Sequence, residues 1–200
     1  MENATIILGG MYLGVVVSRR HWDINRISIV QAQVEEATEE EVVSDQGRGF
    51  LARVNGYQQV PALSTPGHGT FTARIVQDGQ AVAYVLRYAD LQGRPILAHL
   101  QLGRRGTKGG VMVVLCQTGD HPDPTGNAPR CNEDGVVEGV ITERNIIGPV
   151  EQGIEEGALR EVLRALLAHA AYVNVHTTAF PRGEIRGQVR NSPPVGEANE

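Results

Sequence analysis

The sequence predicts a mainly antiparallel β-sandwich carrying one short crossover helix. Three observations support that class. Apolar and polar side chains alternate through several short runs, which is the period of strands with one face buried. Glycine and valine are abundant while phenylalanine and tryptophan are scarce, a composition that suits short strands joined by tight turns. Helical spacing stands out in a single segment near residue 160. A chain of 200 residues with 41% hydrophobic content can build one real core but not two comfortable ones.

Residues 1–34 form an N-terminal extension of strand-forming runs at Thr5–Leu8, Val15–Val17 and Ile27–Val30. Its apolar stretch from Ala4 to Val17 is shorter than the roughly 17–25 residues a membrane-spanning helix takes. Met1-Glu2-Asn3 lacks the basic start of a signal peptide. Residues 35–47 hold Glu35, Glu36, Glu39, Glu40 and Glu41 and read as a solvated acidic linker. The sandwich domain then spans 48–190. Phe50, Ala52 and Val54 alternate with Leu51 and Arg53, and Phe71, Ala73 and Ile75 alternate with Thr72 and Arg74. Further strands are expected at Ala81–Tyr88, Ile96–Leu102, Val111–Cys116 and Val136–Thr142. Turn signals separate them at Asp78-Gly79, Gln92-Gly93 and Asp134-Gly135. Between about 157 and 169, Leu159, Val162, Leu163, Leu166 and Leu167 make one apolar stripe. Two last strands follow, Tyr172–Thr177 and Glu184–Val189, then a tail over 191–200 that is predicted to be disordered.

A net charge of −5 argues against nucleic acid as a partner, which would call for a basic face. Cys116 and Cys131 flank the polar loop QTGDHPDPTGNAPR. They read either as a disulfide or as two partly buried thiols, and an even count closing such a loop favours the disulfide. The bridge would remove roughly 3 kcal/mol of denatured-state freedom and imply an oxidising compartment. In the last hairpin, pairing His176 with Glu184, Asn174 with Arg186 and Tyr172 with Gln188 puts every polar side chain on one face. Asn174, Glu184 and Arg186 are then structural residues, and His176 has a carboxylate beside it.

Two other motifs read as loops. Asp120, Asp123, Asn127 and Asp134 offer hard oxygen ligands, but their spacing matches no EF-hand. GRRGTKGG, residues 103–110, is basic and glycine-rich, yet lacks the strand–loop–helix setting of a phosphate loop; it reads as a hairpin turn. No serine lies in a nucleophile elbow and no carboxylate pair stands out, so the chain does not read as an enzyme.

The stretch AYVNVHTTAFPRGEIRGQV resembles the signature of the chordin-type (CHRD) domain. FLARVNGYQQVPAL, GTFTARIVQDGQAVAYVLRY and ILAHLQLGRRGTKGGVMVVLC follow the same family's order. The resemblance implies an immunoglobulin-like or superoxide-dismutase-like Greek-key sandwich and an extracytoplasmic setting, secreted or at the cell surface. It also implies a metal question. Members commonly carry His-x-His on the middle strand, similar to the copper pair of copper/zinc superoxide dismutases. Here those positions read His99 and Gln101, so His99 and His176, with His68 as a third ligand, are the candidate metal set.

The expected function is therefore a binding or assembly module with no cofactor. Its partner would be another protein, or itself through the N-terminal strand. The alternative is a copper-binding redox protein with a degenerate site.

Overall fold

In the computed structural model, residues 48–192 are described. The N-terminal extension 1–34, the acidic linker up to residue 47 and the tail from 193 lie outside the described residues. Nine strands form one sheet: β1 (Gly49–Asn55), β2 (His68–Val76), β3 (Ala81–Ala89), β4 (Pro95–Leu102), β5 (Val111–Cys116), β6 (Val136–Ile141), β7 (Ala171–Thr177), β8 (Ile185–Gln188) and β9 (Arg190–Ser192). The order across the sheet is β5-β4-β7-β8-β1-β2-β3-β6, with β9 beside β1, and every strand pairing is antiparallel. Among the described residues the one α-helix, α1 (Leu159–Leu167), connects β6 to β7.

The sheet folds onto itself as two halves, β5-β4-β7-β8 and β1-β2-β3-β6. They are joined where β8 meets β1 at Asn55 and Arg186. The far ends also approach, because Val113 of β5 bridges Ile146 just beyond β6 and Ile147 N–H donates to Met112 C=O. The result is a sandwich-type fold that is nearly closed. Strand alternation fixes which residues enter the core. Phe50, Ala52 and Val54 of β1, Phe71, Ala73 and Ile75 of β2, and Val173 and Val175 of β7 are buried in one cluster. Helix α1 adds Leu159, Val162, Leu163 and Leu166 to it. Each large apolar side chain removed from water this way contributes about 1.5–3 kcal/mol.

Two tyrosines sit in this apolar setting and need an acceptor for their hydroxyls. Tyr84 Oη–H donates to Leu115 C=O at 2.6 Å, tying β3 to β5 across the core. Tyr88 Oη–H donates to Asn132 C=O. Burial pushes the Tyr88 phenol up to about 12, so it stays a donor under ordinary conditions.

The β2–β3 hairpin turns at Gln77, Asp78 and Gly79, all with positive φ. The chain enters and leaves the domain side by side, since Gly49 on β1 is the register partner of Ser192 on β9. Cys116 and Cys131 form a disulfide, closing the loop between β5 and β6. No helix among the described residues is long and apolar enough to cross a membrane.

Candidate functional site

The two halves of the sheet differ on their outer faces. On β4-β7-β8 the register sets Gln101, Tyr172 and Gln188 in one row and His99, Asn174 and Arg186 in the next. The pairing of Asn174 with Arg186 and Tyr172 with Gln188 is the one expected from the alternation. This polar face is nevertheless covered. Tyr172, Asn174 and Arg186 are all buried, Arg186 only 3% exposed. Loops form the cover, and their backbone carbonyls and amides bond to the polar side chains.

Arg186 shows how the cover is held. Its guanidinium lies 3.5 Å from the centre of the Tyr172 ring, a cation–π arrangement. It donates to the carbonyls of Thr107 and Arg104 in the β4–β5 turn. Burial lowers its pKa, though not enough to neutralise a guanidinium. Tyr172 Oη accepts from Gly109 N–H, and Gln101 donates to Gly109 C=O at 3.0 Å. Asn174 accepts from Gln59 of the β1–β2 loop at 2.7 Å. The layer thus clamps two loops to the sheet.

His99 and His176 stand together in this layer. Their ring centroids are 5.0 Å apart and their planes cross at 71°. His176 Nδ1 lies 3.0 Å from Pro181 C=O, which calls for the proton on Nδ1 and leaves Nε2 as a lone-pair acceptor. That Nε2 is buried with no hydrogen-bond partner. Burial drives the His99 pKa down to about 3, with His176 beside it adding to the fall. Burial lowers His176 as well. Both rings are neutral at ordinary pH, the state in which imidazole binds metal.

Other expected partners lie elsewhere. His68 starts β2, between β1 and β3, and is exposed with Nδ1 3.2 Å from Pro66 C=O and 3.6 Å from Asp90. It does not join the pair, because the loop before β2 packs toward Glu184 instead. Glu184 also departs from expectation. It lies just before β8, following Gly183 at φ 115°, and the hydrogen bonds of its carboxylate go to residues other than His176. Fully buried, it accepts from Thr65 Oγ1, Thr177 Oγ1 and Gln92 N–H. A buried carboxylate needs several donors, and two of them, Thr65 and Gln92, lie outside the hairpin.

Asp123 of the cysteine loop is likewise committed. It accepts from Thr125 Oγ1 and from the N–H groups of Thr125, Asn127 and Ala128, folding the loop around one carboxylate. Thr118 Oγ1 donates to Ile96 C=O at 3.0 Å, seating the loop beside β4. Among the described residues, no three His, Cys, Asp or Glu side chains gather as a metal-holding group.

The outer face of β1-β2-β3-β6 is open by contrast. Gly49, Arg74, Ala83 and Val140 share one row and Leu51, Thr72, Val85 and Glu138 the next. Val140 is 50% and Leu51 37% exposed. β6 pairs with β3 alone among the named strands.

Comparison with known proteins gives one match. The family model for the CHRD domain covers residues 50–189, the span that holds the sheet up to β8, the helix and the histidine pair. No curated protein matches the chain, and no solved structure does.

Proposed function

Because this chain belongs to the CHRD-domain family, we propose that it acts outside the cytoplasm as a binding or assembly module. The observation that supports this most directly is the contrast between the two outer faces. One polar face is tied down by its own loops, whereas the other leaves Leu51 and Val140 exposed, with Val85 half-buried between them, and among the described strands the far edge of β6 has no partner. An exposed edge with apolar neighbours is the kind of surface that accepts another strand or sheet. The disulfide between Cys116 and Cys131 suits an oxidising, extracytoplasmic compartment. In the finer form of this reading the protein self-associates, with residues 1–34 supplying the added strand.

Sedimentation of the full chain over a wide concentration range tests it. Concentration-dependent assembly is expected, lost on deletion of residues 1–34 and weakened by Leu51→Glu with Val140→Glu. A chain that stays monomeric throughout ends the self-association reading, and the search for a partner then moves to other proteins.

A second reading, copper binding, draws on the His99–His176 pair. The orphaned, buried Nε2 of His176 and its carbonyl-fixed tautomer are the state a metal-binding imidazole takes. Two imidazoles fall short of the three or four nitrogen ligands of a redox copper site, so dismutase chemistry does not follow. Titration with copper ions separates the cases. Stoichiometric binding abolished by His99→Ala and by His176→Ala would support the pair as ligands, and binding indifferent to both would remove it.

A further inference from the structure

The β4–β5 turn carries more positive charge than its structural role requires. Its base, by contrast, is fixed by bonds that leave no slack. Leu102 N–H donates to Gly110 C=O and Gly103 N–H to Ala170 C=O. Gly110 N–H donates to Gln152 at 2.6 Å, and a side chain at Gly109 would collide with the Leu102 carbonyl. Across the tip, Thr107 N–H and Oγ1 both donate to Arg104 C=O. Gly106 takes φ 78°, the value a type II turn assigns to glycine. Arg186 reaches up from the sheet to the carbonyls of Arg104 and Thr107 and holds the tip from below. The turn is a braced finger.

Every charged side chain that the finger presents to solvent is a cation and a donor. Arg104, Arg105 and Lys108 are exposed, and no carboxylate among the described residues pairs with them. The chain's only lysine is one of the three. The buried Arg186 behind them has no carboxylate partner either; its neighbours are carbonyls and a ring. Four cations therefore stand within one small region of a protein whose net charge is −5. With no anion among the described residues to satisfy them, this local field favours an external one.

We propose that the finger at residues 103–110 is a docking point for a linear phosphate polymer, one whose charges are phosphate groups along a chain. The choice follows from what the tip lacks. It has no aromatic side chain on which bases could stack, as single-stranded nucleic acid binding uses. It has no apolar side chain to enter a bilayer or to anchor a protein interface. Two guanidinium forks and an ammonium remain, and these groups bind phosphate oxygens directly. The proposal rests on the extracytoplasmic binding-module reading for its setting, but not on self-association.

Binding of inorganic polyphosphate to the full-length protein tests it. Saturable binding is expected, weakening by roughly twentyfold to fortyfold between about 50 and about 200 mM salt if three contacts release counterions. Replacing Arg104, Arg105 and Lys108 together by alanine should weaken binding at least about tenfold, by the same electrostatic logic. A control that removes equal charge from the open face (Arg53→Ala, Arg74→Ala and Arg87→Ala) should stay near wild type. Arg104→Lys with Arg105→Lys should restore most of the salt-dependent attraction. No binding at low salt overturns the proposal, as does equal loss in the control. Tighter binding to an oligonucleotide, to polyglutamate or to phosphatidylglycerol vesicles also overturns it. Sedimentation of the triple variant separates this result from the assembly reading, because the variant should assemble like wild type.

Discussion

His99 is neutral because its surroundings, not its own chemistry, withdraw the proton. Burial and the neighbouring His176 carry its pKa from the ordinary 6.5 to about 3. In the unfolded chain it would protonate near 6.5, so between these values the unfolded state holds more protons. Stability is then full above pH 6.5 and falls as the pH drops toward 3, with a slope approaching about 1.4 kcal/mol per pH unit for one proton. Denaturant unfolding measured from pH 7 down to 4 should show this loss, and His99→Phe should be shallower by close to one proton. Identical slopes for the two proteins would mean that His99 titrates freely. It was the family resemblance, with its histidine on the middle strand, that indicated His99 and His176 as candidate partners. The sequence did not indicate Pro181 as the acceptor that fixes the His176 tautomer, since that contact depends on how a proline-containing turn closes.

At the scale of elements, alternation was a reliable guide and loops were not. Val111–Cys116 has the same limits in the sequence and in the fold, and α1 lies inside the predicted 157–169. Glu184 was expected as a partner of His176, and the alternation could not show that Thr65, Thr177 and Gln92 donate to its carboxylate. The expectation that the cysteine loop is merely solvated missed its internal order, which Asp123 creates from several backbone N–H groups drawn to one carboxylate. No residue pattern announces a carboxylate used in that way. The disulfide spans 15 residues, and its removal should cost about 3 kcal/mol on the chain-entropy view. Comparing the thermal transitions of the wild type and a Cys116→Ser, Cys131→Ser protein measures this. Because Asp123 orders the loop independently, the variant should remain folded with β4 and β5 still paired. A protein that fails to fold without the bridge would show that Asp123 contributes little.

For the molecule as a whole, the sheet's near closure and its two unlike outer faces matter most. The sandwich class was legible from strand period, turn residues and a single helical stripe. The covering of one face was not, because it depends on contacts between residues far apart in sequence, such as Gln59 with Asn174 and Arg186 with Thr107. That covering divides the labour. The clad face keeps its histidines dry and its loops rigid, and the bare face keeps Val140 and Leu51 available.

The neighbouring ends of the domain have a mechanical consequence. Gly49 and Ser192 are register partners on adjacent strands, which places their backbones roughly 5 Å apart. A domain suspended by two such close points behaves as a pendant: tension along a polypeptide that runs through it is carried locally by β1 and β9 and bypasses the rest of the sheet. The same geometry lets this fold be spliced into a surface loop of another protein without spreading the loop's ends.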